Sequence, residues 1–438
     1  MKPRNLSVFG AELGRFAEGH ALEEVIATET HWIRRNLVMW PDIEPVQGQR
    51  DWSSPNLENL EQSLQIAAGN HVEVILTVRN TPDWAQKYEG SVCGPIKEEA
   101  FAAFADFMHD LVKRYSSPPY RVKYWEIGNE PDAFVNTSDM PFGCWGDPTL
   151  PLNGGAYYGR MLKQVYPKIK EADPEAQVLL GGLIMDCEPG GADPSISSPG
   201  AYTTCSAVSL TFLSGILSEV GSEYYDAVSF HSYDYYMGKK GHFELAAWNS
   251  SASTTGPSMT VKLKYLRATL EEYGVYDKDI FLSEGGLLCQ EEYFSCDQDF
   301  EETKAQFLVK VYTEVMAAGL RANVWYTMHG EVWRETNLLA EDRSALPAYA
   351  AYAFMSREMS GARYVSEVSG LDGLVVHEFE RGMTKIWIAW SRDGAGHLIT
   401  LPQAPQAIFD LYGNPISSGD ALTIGSAPVY FEFTAEVP

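Results

Sequence analysis

Eight short apolar segments of strand length recur along this chain, and they constrain its fold more than any other feature. The segments are residues 6–11, 32–39, 72–78, 122–127, 178–184, 227–230, 280–282 and 323–327. Between them lie amphipathic segments with the period of an α-helix, at residues 56–68, 98–115, 157–172, 260–273 and 303–318, followed by a last one at 345–358. Eight strand–helix units in succession predict an α/β fold, a closed (β/α)8 TIM barrel.

The pattern changes after residue 361. Short segments of alternating apolar and polar residues follow, separated by turn sequences such as Asp393-Gly394 and Gly413-Asn414-Pro415. Such alternation is typical of antiparallel strands joined by hairpin turns. We therefore predict two domains, a barrel at residues 1–361 and a small antiparallel β-sandwich at residues 362–438 that packs on its flank.

The composition excludes some classes of partner. The chain has 33 Lys and Arg against 59 Asp and Glu, a net charge of -26, which repels nucleic acid and anionic membrane surfaces. Its 438 residues are 45% hydrophobic, enough for a large core, but without an apolar stretch of membrane-spanning length. We expect neither a nucleic-acid nor a membrane partner, and the sequence leaves the oligomeric state open.

The cysteines indicate the compartment. They lie in polar or Gly/Ser/Pro-rich stretches, at positions 93, 144, 187, 205, 289 and 296. Because they lack the spacing of zinc ligands, we favour disulfides over free thiols. Their placement in loops at one end of the barrel predicts the pairs Cys289–Cys296 and Cys187–Cys205 and, by elimination, Cys93–Cys144. Disulfides imply an extracellular or periplasmic protein, with the signal peptide absent from this chain.

Two glutamates stand at matching places in the eightfold pattern. Asn129 and Glu130 follow the strand at 122–127, and Glu284 follows the strand at 280–282. The carboxyl ends of barrel strands meet at one mouth, so Glu130 and Glu284 should face each other there. Paired carboxyls can serve as proton donor and nucleophile of a retaining glycosidase. The alternative for either glutamate alone is a solvated loop residue.

The segment Trp125-Glu126-Ile127-Gly128-Asn129-Glu130-Pro131 resembles the strand-four motif of clan A glycoside hydrolases, in which the Glu after Asn is the general acid/base. Gly128 departs from that motif, where a bulky Trp is common. The resemblance spans residues 6 to about 360 and is nearest to family 39, with family 5 next. It implies Glu284 as nucleophile, with no metal or cofactor. It further implies substrate-binding roles for Arg35, Trp40, Trp84, Asn129, His231, Tyr233 and Trp325.

These supporting residues have structural alternatives. Arg35 pairs with a carboxylate at the barrel bottom or, as we favour, points into the mouth and keeps Glu284 ionised. Asn129 either caps the turn or, as in the clan, bonds the sugar 2-hydroxyl. For the others, burial in the core is the alternative to a role in the site: His231, Tyr233, Trp84 and Trp325.

The sequence thus predicts a retaining glycoside hydrolase acting on a poly- or oligosaccharide. Glu130 would protonate the leaving group and then deprotonate water, while Glu284 attacks from about 5 to 5.5 Å away. Mouth loops rich in Trp, Tyr and Gly favour endo action, with exo action open. A glycan-binding barrel without turnover is a further alternative, and a metal-dependent hydrolase lacks the expected histidine ligands. The sugar and its linkage are not identified.

Overall fold

The computed structural model describes residues 7–14, 21–133, 135, 145–185, 207–244, 257–329, 333–399, 401, 403–417 and 422–434. Eight of the strands form the barrel: β1 (Phe9–Glu12), β2 (Trp32–Met39), β3 (Glu73–Arg79), β4 (Tyr124–Asn129), β5 (Gln177–Leu183), β6 (Ala227–Tyr236), β8 (Asp279–Leu288) and β9 (Ala322–Trp325). A two-residue strand, β7 (Phe243–Glu244), pairs antiparallel with the end of β6. The barrel strands pair in parallel in this order, and β9 closes the ring on β1. The predicted TIM barrel is confirmed.

The described helices are α1 (Ala21–Ala27), α2 (Trp40–Ile43), α3 (Pro55–Gly69), α4 (Phe101–Tyr115), α5 (Gly155–Ala172), α6 (Ala207–Val220), α7 (Met259–Glu272), α8 (Gln298–Ala318) and α9 (Pro347–Glu358). Three of these helices, α1, α2 and α6, were not predicted. The first two are short, and α6 is so apolar that its sequence shows little helical contrast between faces. None of the described helices is both long and apolar enough to cross a bilayer.

Two strands extend further than predicted. β6 continues beyond residue 230 to Tyr236, and β8 continues beyond residue 282, through Glu284 and Gly285, to Leu288. A Cβ atom at position 285 would lie only 2.7 Å from the Ser232 carbonyl oxygen. Glycine at this position therefore lets β6 and β8 approach closely. This pairing sets His231 beside Glu284 in the register.

The C-terminal segment forms antiparallel sheets, as predicted. Its strands are β10 (Arg363–Glu367), β11 (Leu374–Arg381), β12 (Thr384–Ser391), β13 (His397–Ile399), β14 (Ala407–Phe409), β15 (Leu422–Ile424) and β16 (Val429–Thr434). Five form one sheet in the order β10-β11-β12-β16-β14, while β13 pairs with β15. Alternate residues serve two cores: Ile388 joins the core cluster shared with the barrel, and Trp387 joins a separate cluster with Ile424. The boundary at residue 361 stays a prediction.

The predicted disulfide between Cys289 and Cys296 is present. Cys93 is also disulfide-bonded. Its predicted partner Cys144, and the predicted pair Cys187–Cys205, lie outside the described residues, so those pairings remain predictions.

Candidate active site

A fully buried arginine, Arg34 on β2, lies at the centre of the site. Its Nη1 donates to Oε2 of Glu12 at 2.7 Å and to Oε2 of Glu284 at 2.6 Å. Its Nε and Nη2 lie 2.8 and 2.7 Å from Oε2 of Glu126, and Nη2 also donates to Oδ1 of Asn129 at 2.6 Å. Burial alone would lower the pKa of Arg34, but the neighbouring carboxyl groups, Glu126 foremost, raise it well above its usual value. Arg34 is therefore a permanent cation that donates hydrogen bonds to three carboxyl groups.

The prediction that Arg35 points into the mouth and keeps Glu284 ionised is wrong, because Arg34 occupies that position. Side chains alternate along a strand. Trp32 points inward to the floor of the barrel, and so does Arg34 one layer above it, which turns Arg35 outward. The buried Arg35 donates through Nη1 to the carbonyls of Leu13 and Gly14, at 3.2 and 3.4 Å. Burial lowers the pKa of Arg35 to about 10.

Both carboxyl oxygens of Glu284 accept hydrogen bonds. Tyr233 donates its hydroxyl to Oε1 at 2.5 Å, while Arg34 donates to Oε2. Burial would raise the pKa of Glu284, but the charges of His231 and Arg34, together with these hydrogen bonds, keep it below its ordinary value. Glu284 is thus an ionised, oriented carboxylate, as a nucleophile requires.

Glu130 directly follows β4 and has a left-handed backbone with φ 52°. A non-glycine residue in this region is strained, at a cost of about 1 kcal/mol or more, and such residues concentrate at functional sites. Its amide donates to the Gly182 carbonyl at 3.0 Å, and its Oε1 lies 2.8 Å from Nδ1 of His231. One oxygen each of Glu130 and Glu284 and a ring nitrogen of His231 all lie within 4.8 Å of one another. The structure therefore brings the two predicted glutamates together.

His231 is the fully buried link between them. Its ring fits because β5 has glycine opposite: a Cβ on Gly182 would lie 2.0 Å from Nε2. Burial lowers the pKa of His231, but the neighbouring charges of Glu284 and Glu130 outweigh this effect, and the pKa is raised. The imidazole can therefore carry a proton beside both carboxyls.

Two of the predicted tryptophans are core residues. Trp40 is fully buried and packs edge-on against Trp84, with ring centroids 5.1 Å apart. Trp325 is also buried, where its ring packs against Phe307 of α8 and its Nε1 donates to the Thr336 carbonyl. The predicted sugar platform at Trp325 is therefore wrong, because β9 turns this side chain outward. Trp40 is likewise a core residue, and the role of the half-buried Trp84 stays a prediction.

Two aromatic residues that sequence analysis missed surround Tyr233. The centroid of Trp333 lies 5.1 Å from that of Tyr233, and the centroid of Tyr326 lies 6.3 Å from it. Strand alternation could have identified Tyr326, because Val324 two residues earlier points inward. Trp333 lies in a loop without such a pattern. These rings form one wall beside Glu284.

Comparisons with known proteins identify the family of this chain. Residues 13–325 match the family model described as cellulase, glycosyl hydrolase family 5. A search of curated protein sequences found no significant match. Among solved structures, a family 39 glycoside hydrolase from Bacteroides cellulosilyticus WH2 is 17% identical, with TM-score 0.69 over 98% of this chain and 81% of that one.

Two further structures share the fold. A family 30 subfamily 8 xylanase from Clostridium acetobutylicum is 14% identical, with TM-score 0.59 over 98% of this chain and 96% of its own. A monomeric β-xylosidase from Caulobacter crescentus CB15 is 13% identical, with TM-score 0.60 over 99% and 97%. The prediction of a clan A glycoside hydrolase is confirmed, with family 5, placed second by the sequence motifs, as the family that matches. The chain belongs to the cellulase family, glycosyl hydrolase family 5, and is a glycoside hydrolase.

Proposed function

We propose that this hydrolase works by double displacement, with Glu284 as nucleophile and Glu130 as general acid/base. The distance between the two carboxyls carries the proposal. One oxygen of each lies within 4.8 Å of the other, close to the separation of about 5 to 5.5 Å in retaining enzymes and below the roughly 6.5 to 9.5 Å of inverting ones.

The surroundings of the two groups suit these roles. Glu284 attacks the anomeric carbon as an anion held by Arg34 and Tyr233, while Glu130 gives its proton to the departing oxygen. In the second step Glu130 takes a proton from water, whose oxygen bonds to the anomeric carbon while the bond from that carbon to Glu284 breaks, so the sugar is released. His231 beside Glu130 positions its carboxyl for both transfers.

Asn129 is a substrate-binding group in this scheme. Its Oδ1 accepts from Arg34 at 2.6 Å and from Asn36 at 3.2 Å. Both bonds fix the orientation of the amide, so Nδ2 is left to donate to a sugar hydroxyl near the reacting carbon.

We further propose a poly- or oligosaccharide substrate and endo action. Support comes from the cellulase description of the family and from the xylanase among the structural relatives. An extracellular or periplasmic location accords with the disulfides, since cytosolic disulfides are uncommon. Titration of the denatured, unreduced protein should then find no free thiol.

The test is digestion of soluble cellulose and xylan together with nitrophenyl glycosides, followed by proton NMR of the first anomer released. We expect retained configuration and, for endo action, a ladder of oligosaccharides; a single small sugar would instead indicate exo action. Glu284→Ala should abolish turnover, whereas Glu130→Ala should keep activated aryl substrates and gain rate with azide. Glu58→Ala, at an exposed position of α3, is the control. An inverted product or an active Glu284→Ala would overturn the mechanism.

A further inference from the structure

Glu12, the last residue of β1, is a further carboxyl group in this site that was not predicted from the sequence. Its side chain is almost completely buried. Its Oε2 and that of Glu284 accept hydrogen bonds from the same atom, Nη1 of Arg34, at 2.7 and 2.6 Å. The nucleophile thus shares a single nitrogen with a second carboxyl that has no place in the two-glutamate mechanism.

The charges around this nitrogen do not balance if both groups are ionised. Arg34 also pairs with the buried Glu126, so one cation faces three carboxyls. Two like charges on one donor repel strongly in a buried site, and one of the pair then keeps its proton. Glu284 is the member with a second donor, from Tyr233, and with His231 nearby. Glu12 therefore holds the proton.

The titratable groups around Glu12 agree with this assignment. Burial raises the pKa of Glu12 to about 7; Arg34 opposes the rise, and the charge of Glu284 adds to it. The charged and titratable groups that act on it come from β2, β6 and β8: Arg34, Arg35, His231, Tyr233 and Glu284.

We propose that Glu12 is a positioning residue that carries a proton while Glu284 is ionised, so that Nη1 of Arg34 always has one anionic partner. When an oxygen of Glu284 bonds to the anomeric carbon, its negative charge is lost. Glu12 then releases its proton to water in the mouth and becomes the anionic partner of Arg34. Hydrolysis restores the Glu284 carboxylate, and Glu12 takes a proton back. The proposal rests on the role proposed for Glu284, but the coupling of the two carboxyls can be measured without substrate.

The first experiment is infrared titration of the protonated-carboxyl band in the free enzyme between pH 5 and about 9. Asp234, a buried carboxyl whose pKa is also raised to about 7, lies away from Arg34 and supplies the control variant Asp234→Asn. Glu12→Gln should remove one protonated carboxyl per molecule at pH 6. In Glu284→Gln the Glu12 band should persist, but disappear at a lower pH than in wild type, because the neighbouring negative charge is gone. Asp234→Asn should leave the Glu12 transition in place.

Two infrared results would overturn the proposal: no loss of the band at pH 6 in Glu12→Gln, or a Glu12 transition that Glu284→Gln does not move. The second variant keeps the test valid even if Glu12→Gln fails to fold.

A kinetic experiment uses whichever glycoside the substrate screen identifies. Wild-type kcat/KM should fall as Glu12 ionises, and Glu12→Gln should move this alkaline limb to higher pH by at least about half a pH unit. An unmoved limb would overturn the role of the proton in catalysis. Failure of the two-glutamate mechanism would give a different result from failure of the Glu12 proposal, namely an inverted product or an active Glu284→Ala variant.

Discussion

Replacing Lys310 with methionine is expected to stabilise the protein, most strongly at low pH. Lys310 lies on α8, fully buried beneath the C-terminal sheet domain. Its Nζ has no hydrogen-bond partner among the described residues and lies 5.4 and 6.0 Å from the ring centroids of Phe243 and Trp390. Burial lowers the pKa of Lys310 from 10.5 to about 7. The folded protein therefore disfavours the ammonium form that the unfolded chain prefers.

The magnitude follows from this difference in pKa. Below pH 7 the folded protein contains the buried ammonium, and at about 1.4 kcal/mol per pKa unit its destabilising effect reaches about 5 kcal/mol. The two rings attract the cation by about 1 kcal/mol each, which leaves about 3 kcal/mol. The effect shrinks as pH rises from 7 towards 10.5, where the amine is neutral in both states. Methionine fills similar space without the charge.

The assay is urea unfolding at pH 6 and at pH 9. Lys310→Met should raise the free energy of unfolding by about 3 kcal/mol at pH 6 and by clearly less at pH 9. Lys304 is the matched control, a buried lysine on the same helix whose Nζ donates to Glu301, to the Glu335 carbonyl and to the Asn337 carbonyl. Lys304→Met would leave these three acceptors without their donor and should lower the free energy of unfolding at both pH values. Destabilisation by Lys310→Met at pH 6, or a gain independent of pH, would refute the reasoning.

Three further outcomes are expected. Gly182→Ala should displace the His231 ring and lower kcat by about 10²-fold, whereas Gly69→Ala, with open space around its Cβ, should leave kcat unchanged; equal effects would contradict the packing argument. Tyr233→Phe removes a hydrogen bond that lowers the pKa of Glu284, so the acid limb of kcat/KM should move to higher pH, and a limb that stays in place would exclude this coupling. Deleting the C-terminal sheet domain should expose the apolar face that it shares with the barrel and lower the melting temperature; an equally stable truncated barrel that loses only polymer binding would indicate a carbohydrate-binding module.

The barrel was predictable because its strands and most of its helices have contrasting periods. The main errors concern which face of a strand a side chain occupies. Arg35 was chosen where Arg34 points inward, and Trp325 where Tyr326 follows the inward face. Alternation fixes only relative positions along a strand. The absolute face depends on packing against strands far away in sequence, such as the floor layer around Trp32.

The pair Glu130 and Glu284 was found because each follows an apolar strand at an equivalent place. Glu12 and Glu126 were missed, although a charged residue inside an apolar strand is itself informative, since burial is costly unless a partner is present. Their partner Arg34 lies on another strand, so the sequence could indicate that partners exist but could not identify them. His231 was proposed from the family motif, while the space for its ring depends on Gly182, which no local pattern indicates.

The bonds of Arg34 also have a consequence for how the enzyme matures. They join β1, β2, β4 and β8, strands drawn from the first, middle and last thirds of the barrel segment. The network cannot be completed until the ring of strands has closed, so catalytic competence should appear only with the final cooperative step of folding. Substitutions at its carboxyls should accordingly be non-additive. Laboratory evolution of this enzyme would have to change these positions together rather than one at a time.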